Sequence, residues 1–253
     1  MLVGSMGYAV HSGLGHLVRD FHKHGIVDKI LIIPHPHYQS YDWYPDRNIG
    51  FSFDRWREFL DKIEVLLLFE NAFRWEVAIE AKKRRIPIVL IPNYEFTPWP
   101  IPVEPELIIC ASLLDIDYYK PKYRTTFLPI PVEQTWKLRE KAEIFVHNAG
   151  HGQRGFAKGT PEIVDAIGYV QSPAQFIIRG QPGESRITEL FSKHKDNSRI
   201  QFEFGDFDLD KLFGVGDVFI NAEQYNGMSL MLQEARASGM LVCTTDRYPM
   251  NTW

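Results

Sequence analysis

The chain has 253 residues, 45% hydrophobic and 24% charged, which allows one large or two modest domains and excludes disordered, collagenous and fibrous proteins. No apolar run approaches the ~20 residues of a membrane-spanning helix. The N-terminus also lacks a basic segment followed by an apolar one, so the expectation is a cytoplasmic protein without a membrane span. A formal net charge of -4 argues against holding nucleic acid by a global field, although a local basic groove would survive that average.

Short apolar runs alternate with amphipathic stretches along nearly the whole length, the sequence form of repeated βα units around parallel sheets. In the first half the pattern predicts strands near residues 2–5, 29–33, 65–69, 88–91 and 107–110, and helices near 14–24, 54–61, 73–85 and 113–119. Between the first strand and first helix runs GYAVHSGLG, residues 7–15. There Gly13 and Gly15 let backbone amides approach an anion at a helix start, although any tight βα turn uses glycine as well. His35–Pro36–His37 reads as a loop at a strand end rather than a metal site. After the fourth strand come Asn93, Tyr94 and Glu95, then a proline-dense stretch whose missing amide donors predict an extended loop. Glu95 stands where a parallel sheet ends, the edge at which such folds bind ligands, and is the leading catalytic candidate of this half; Glu70–Asn71, after the third strand, ranks behind it. Cys110 here and Cys243 later lie in separate apolar runs without CxxC spacing, which predicts reduced thiols and no zinc or redox pair.

Pro129–Ile130–Pro131 ends a further strand, and the charged stretch 133–143 has weak apolar periodicity. The boundary is therefore expected within 131–143, with domains over 1–136 and 137–253. The pattern then restarts, with strands near 144–147, 175–179, 199–203, 218–221 and 241–244 and helices near 160–170, 184–195 and 229–238. From the first of these strands into a helix runs NAGHGQRGFAKGT, residues 148–160. Arg154 and Lys158 can reach one phosphate cluster there, a guanidinium and an ammonium beside a glycine-rich helix start that neutralise a diphosphate; the alternative is a solvated basic turn. A second such segment is NAEQYNGMSLMLQEARASG, residues 221–239. Glu234 falls mid-helix among apolar neighbours, where a carboxylate needs a partner. Vicinal ribose hydroxyls would serve, and a buried structural glutamate is the alternative.

These residues carry a resemblance. Gly227, Glu234, Ala235, Ala237 and Gly239, with the strand 241–244 and Asp246, resemble the C-terminal signature of the family 4 (group 1) glycosyltransferases of the GT-B fold. The stretch from Arg154 to Lys158–Gly159 is similar to that family's phosphate-binding Arg and Lys-Gly. The resemblance implies an α/β fold of two Rossmann-like domains facing across a cleft, the C-terminal one holding a nucleoside-diphosphate sugar and the N-terminal one presenting the acceptor. It implies transfer of a sugar to an acceptor hydroxyl with retention, and a donor site drawn from Gly13, Gly15, Gly150, His151, Asn226, Gly227, Met228, Ser229 and Glu234, with Arg154 and Lys158 catalytic; the position of Glu95 after its strand places it on the acceptor side. No metal and no cofactor besides the donor substrate are expected, since no Asp-x-Asp motif follows a strand in the way that metal-dependent glycosyltransferases require.

Three departures stand out. The family's first Glu is Asn226 here, eight residues before Glu234, with Glu223 three residues upstream. The Arg-to-Lys spacing of four is shorter than common, which brings His151 or Gln153 into the phosphate role. The chain also ends at Trp253, short of the family's usual closing helices, so that either the molecule is minimal or its tail is missing. HNAGHG, residues 147–152, is similar to viral members, making hydroxymethylated bases of phage DNA an alternative acceptor. Asn226 and the short C-terminus make a catalytically idle nucleotide-sugar-binding protein the other alternative. Contacts to the base are expected from backbone groups near 205–209.

Overall fold

The alternation of apolar runs and amphipathic stretches resolves into βα units in two compact units, Met1–Pro129 and Ile130–Trp253. The computed structural model describes residues 1–36, 39–132, 135–150, 158–181, 185–205, 207, 209–224 and 226–252.

Unit 1 comprises β1 (Val3–Gly7), α1 (Gly13–Lys23), β2 (Lys29–Ile32), β3 (Gly50–Ser52), α2 (Trp56–Leu60), β4 (Val65–Glu70), α3 (Trp75–Lys83), β5 (Ile88–Pro92), β6 (Leu107–Cys110), α4 (Leu113–Tyr119) and β7 (Thr125–Phe127). The strands form one parallel sheet in the order β3-β2-β1-β4-β5-β6-β7. Leu66, Leu67, Leu68 and Phe69 are all buried because helices cover both faces. Phe21 of α1 meets Phe69 at 4.8 Å, whereas Phe59, Val77 and Ala81 of α2 and α3 share a core cluster with Leu66, Leu68 and Leu90. Helix α1 starts where Ser12 accepts the Gly15 amide at 3.1 Å, and it buries Leu14, Leu17, Val18 and Phe21, the spacing of one helical face. Strand β3 is absent from the pattern read in the sequence: it is three residues long at the sheet edge and lacks an apolar run.

Unit 2 comprises β8 (Ile144–Gly150), α5 (Thr160–Ile167), β9 (Gln175–Gly180), α6 (Ser185–His194), β10 (Ile200–Phe204), α7 (Leu209–Gly214), β11 (Val218–Asn221), α8 (Leu230–Ala237) and β12 (Leu241–Thr244). Its parallel sheet has the order β10-β9-β8-β11-β12. Val146 and Phe219 pack with Phe213 and Ala235 on one face, and Ile178 packs with Ile163 and Val164 on the other. The stretch before β8 is tied to this unit by Arg139. Its guanidinium donates to the carbonyls of Gly216 at 2.7 Å, Phe213 at 2.6 Å and Ser238, capping the ends of α7 and α8.

In both sheets the strand order reverses beside the first strand, between β1 and β4 and between β8 and β11. Crossovers leave such a point toward opposite faces and open a crevice at the carboxyl ends of the strands. Among the described residues no helix is long and apolar enough to cross a membrane.

Candidate functional site

The crevice of unit 2 is built from the ends of β8 and β11. Strand β8 closes on Gly150 with φ 70, and a Cβ there would lie 2.8 Å from Lys158 Nζ. Glycine thus supplies the left-handed turn and makes room for the ammonium over the strand end. Lys158 Nζ also lies 3.7 Å from Met231 Sδ in the first turn of α8. The next residue, Gly159 at φ 71, caps α5, and a Cβ on it would meet Ala222 Cβ at 2.7 Å and the Ala222 carbonyl oxygen at 2.8 Å. The start of α5 is therefore pressed against the loop that leaves β11, and the two segments singled out in the sequence meet.

Beneath this contact His147 is buried between β11 and α5. Its Nδ1 lies 2.9 Å from the Ile220 carbonyl oxygen and its Nε2 2.8 Å from Thr160 Oγ1. A carbonyl only accepts, so Nδ1 carries the proton and Nε2 accepts from the Thr160 hydroxyl. Burial pushes the imidazole pKa down to about 4; the Ile220 bond opposes the shift and Lys158 adds to it. Sequence reasoning missed His147. The available signal was a histidine inside a buried strand with a threonine at the following helix start.

The loop after β11 is knotted by Asn226. Its Oδ1 accepts the amides of Met228 at 3.1 Å and Ser229 at 2.7 Å, and its Nδ2 donates to Glu223 Oε2 at 2.9 Å. Gln233 Nε2 donates to the Met228 carbonyl at 2.7 Å, and Thr245 Oγ1 to that of Glu223 at 2.9 Å. Gly227, Met228 and Ser229 are buried in the knot. Ser229, with φ 43, precedes α8 without capping it, and its buried Oγ has no partner among the described residues. Both side-chain polar atoms of Asn148 on β8 are likewise buried without a partner there. Each such atom costs about 1–3 kcal/mol; Asn148 stands two residues before Gly150 on β8, and Ser229 two residues before Met231 at the start of α8. Glu234 is half-buried, one turn along α8 from Met231 and on the same side of the helix. His151, Gln153 and Arg154 lie outside the described residues.

Near the expected base contacts, the Gly205 amide is taken by the Gly180 carbonyl at 3.1 Å. The buried Arg179 donates to Glu203 Oε2 and to the Leu212 carbonyl, each at 2.6 Å, with Phe207 below its guanidinium.

In unit 1, Gly13 is open, with no described atom within 4 Å of a would-be Cβ, whereas one on Gly15 would lie 2.2 Å from the Val10 carbonyl oxygen. Gly15 thus serves the fold of its own turn, and its amide is committed to Ser12. The Glu95 side chain is exposed, and its amide donates to Asn93 Oδ1 at 3.4 Å. A recess of about 590 Å³ lined by Leu2, Lys29, Phe51 and Glu64 opens at the amino-terminal edge of this sheet, away from the strand ends that carry these groups.

No protein-family model matches the chain, and no curated protein matches it in sequence. In structure it is similar to Anabaena HepE, solved with UDP and glucose, at TM-score 0.72 and 12% identity over 98% of this chain and 81% of that one. It is similar to the lipopolysaccharide outer core galactosyltransferase WaaB, at TM-score 0.67 and 11% identity over 98% and 81%. A glycosyltransferase from Rickettsia africae matches at TM-score 0.67 and 12% identity over 97% and 79%. At such identities the likeness speaks for the fold: the chain has the α/β GT-B fold, with a parallel sheet in each unit.

Proposed function

We propose that the chain is a glycosyltransferase that moves a sugar from a nucleoside-diphosphate sugar to an acceptor hydroxyl. The observation that carries this reading is Lys158 at the switch point of unit 2, over Gly150 and against α8, with buried polar atoms that have no partner among the described residues on the same two elements, at Asn148 and Ser229. A diphosphate offers anionic oxygens to the ammonium and acceptors to the Ser229 hydroxyl and the Asn148 Nδ2 donor, and a sugar hydroxyl can donate to Asn148 Oδ1. When the diphosphate leaves the sugar, negative charge grows on the departing oxygen, and a cation already in position stabilises it without reorganisation. The complex of HepE with UDP and glucose supports UDP as the first nucleotide to test.

Glu234, on the Met231 side of α8, is suited to ribose hydroxyls, and Arg154 is the second proposed phosphate cation. Asn226 commits its amide to the loop, and Met228 gives its amide to Asn226 and its carbonyl to Gln233, which leaves the Gly227 backbone as the proposed contact from this position to the donor sugar. The resemblance to family 4 supports retention, a metal-free reaction and donor contacts from His151, and the HNAGHG stretch keeps modified phage DNA among the acceptors. The unbridged Cys110 and Cys243 agree with a cytoplasmic site of action.

Calorimetry with UDP, GDP and ADP, followed by hydrolysis assays on the matching glucose nucleotides, tests the reading. One diphosphate should bind and its sugar nucleotide turn over. Binding without turnover of any sugar nucleotide would make the chain an idle binder, and no binding at all would reject the donor site.

A further inference from the structure

Unit 1 has a switch point of its own, between β1 and β4, and the backbone there is strained. Glu70, which ends β4, has φ 57, and Phe73 has φ 54. Residues with a Cβ hold left-handed conformations where surrounding contacts over-determine them, and such positions cluster at binding sites. Here the contacts come from the loop after β5. The Thr97 hydroxyl donates to the Glu70 carbonyl, and Asn93 Nδ2 donates to Glu70 Oε1 at 3.2 Å. Thr97 Oγ1 in turn accepts the Asn93 amide at 3.0 Å. Thr97 and Asn93 are both buried, so one interior residue holds the Glu70 backbone and another its carboxylate, which is itself half-buried.

Around Glu70 the chain gathers a second polar group and two ring faces. Tyr8 follows β1, the strand beside β4, and its ring lies 4.7 Å from His35 and 5.1 Å from Phe73. Tyr8 is half-buried and Phe73 exposed. Burial raises the Tyr8 hydroxyl above its ordinary pKa, with Arg74 opposing and Glu70 adding to the shift, so all three groups share one electrostatic neighbourhood.

We propose that Glu70 and Tyr8 form a hydroxyl-binding pair in unit 1, which takes a carbohydrate ring with its hydroxyls on the Glu70 carboxylate and its apolar face on Tyr8 and Phe73. A carboxylate has acceptor sites for two neighbouring hydroxyls, and aromatic rings cover the C–H face that such a ring presents. That the bound hydroxyl is the one to be glycosylated rests on the transfer reaction proposed above. The acceptor-side role thereby passes from Glu95, whose side chain is exposed, to Glu70.

Amide NMR spectra of the full chain, titrated with methyl β-glucoside and methyl β-galactoside, test the pair. At least one glycoside should shift the amides of Tyr8, Glu70 and Asn71. Glu70→Gln keeps the shape and an acceptor for Asn93 but loses the charge, and should weaken that binding about tenfold or more, with Glu95→Gln unchanged. UDP should shift Lys158 and Ser229 equally in all three proteins, which also reports that the variants are folded. The proposal is overturned if neither glycoside perturbs Tyr8, Glu70 or Asn71, or if Glu70→Gln binds as the parent does. Absence of any UDP response would instead reject the donor site and leave the glycoside result to stand by itself.

Discussion

Lys158 Nζ rests 3.7 Å from the Met231 sulfur, so the cation that follows β8 is held against the first turn of α8. A thioether is a weak acceptor, and a phosphate oxygen would replace it at little cost. Lys158→Ala should weaken nucleoside-diphosphate binding by roughly 1.5–3 kcal/mol while leaving unfolding unchanged. Calorimetry on the variant and its parent decides, and equal affinities would remove Lys158 from the site.

Glu234→Gln should bind nucleotide less tightly and stay folded, because the amide keeps the shape but loses the charge that strengthens bonds from ribose hydroxyls. The comparison to make is between a nucleotide and its dideoxyribose analogue. If the substitution weakens both ligands equally, the glutamate serves the helix and not the ribose.

Two buried titratable groups give the units opposite responses to pH. His147 in unit 2 is held down to about 4, below the ordinary value of about 6.5, so protons bind the unfolded chain first. Its contribution to stability is complete above pH ~6.5 and is lost as pH falls toward 4, an effect of roughly 2–3 kcal/mol. Asp115 in unit 1 is raised from 3.8 to about 6, chiefly by burial, against its bonds from Ser112. Here the folded state binds protons first, so unit 1 loses stability as pH rises from about 4 through 6. Hydrogen exchange at pH 4.5 and pH 7 should show protection rising on acidification in unit 1 and falling in unit 2. Asp115→Asn should flatten the unit 1 response and stabilise that unit at pH 8 by about 1–3 kcal/mol. A parallel response in both units would contradict the assignment.

Arg139→Lys should destabilise unit 2 by about 2–4 kcal/mol, because an ammonium cannot span the four carbonyls, of Lys137, Phe213, Gly216 and Ser238, that the planar fork reaches. Chemical denaturation followed by amide hydrogen exchange of unit 2 would report it. A change within about 0.5 kcal/mol would mean that water satisfies those carbonyls equally well.

The central strands were legible because burial on both faces turns them into unbroken apolar runs, as in Val65–Glu70 and Ile88–Pro92. Strand β3 was not, since an edge strand of three residues needs no such run. Lys158–Gly159 could be read from glycines at a strand-to-helix turn, but the role of Asn226 could not. Its side chain organises the loop around a left-handed Ser229, a dependence on backbone shape that residue spacing does not express. His147 was hidden for a related reason, since its partner Thr160 is brought to it by a crossover of the fold; Glu70 was legible as a strand-end carboxylate ranked behind Glu95, but its bond from Asn93 was not.

The guanidinium of Arg139 reaches the ends of α7 and α8 from a stretch that precedes every strand of unit 2. A fragment cut at the first strand, beginning at Ile144, would lose those caps together with the Lys137 amide that binds Ser238 at 3.1 Å. Dissection of the protein into halves should therefore cut after Pro129, so that the C-terminal half keeps its own brace.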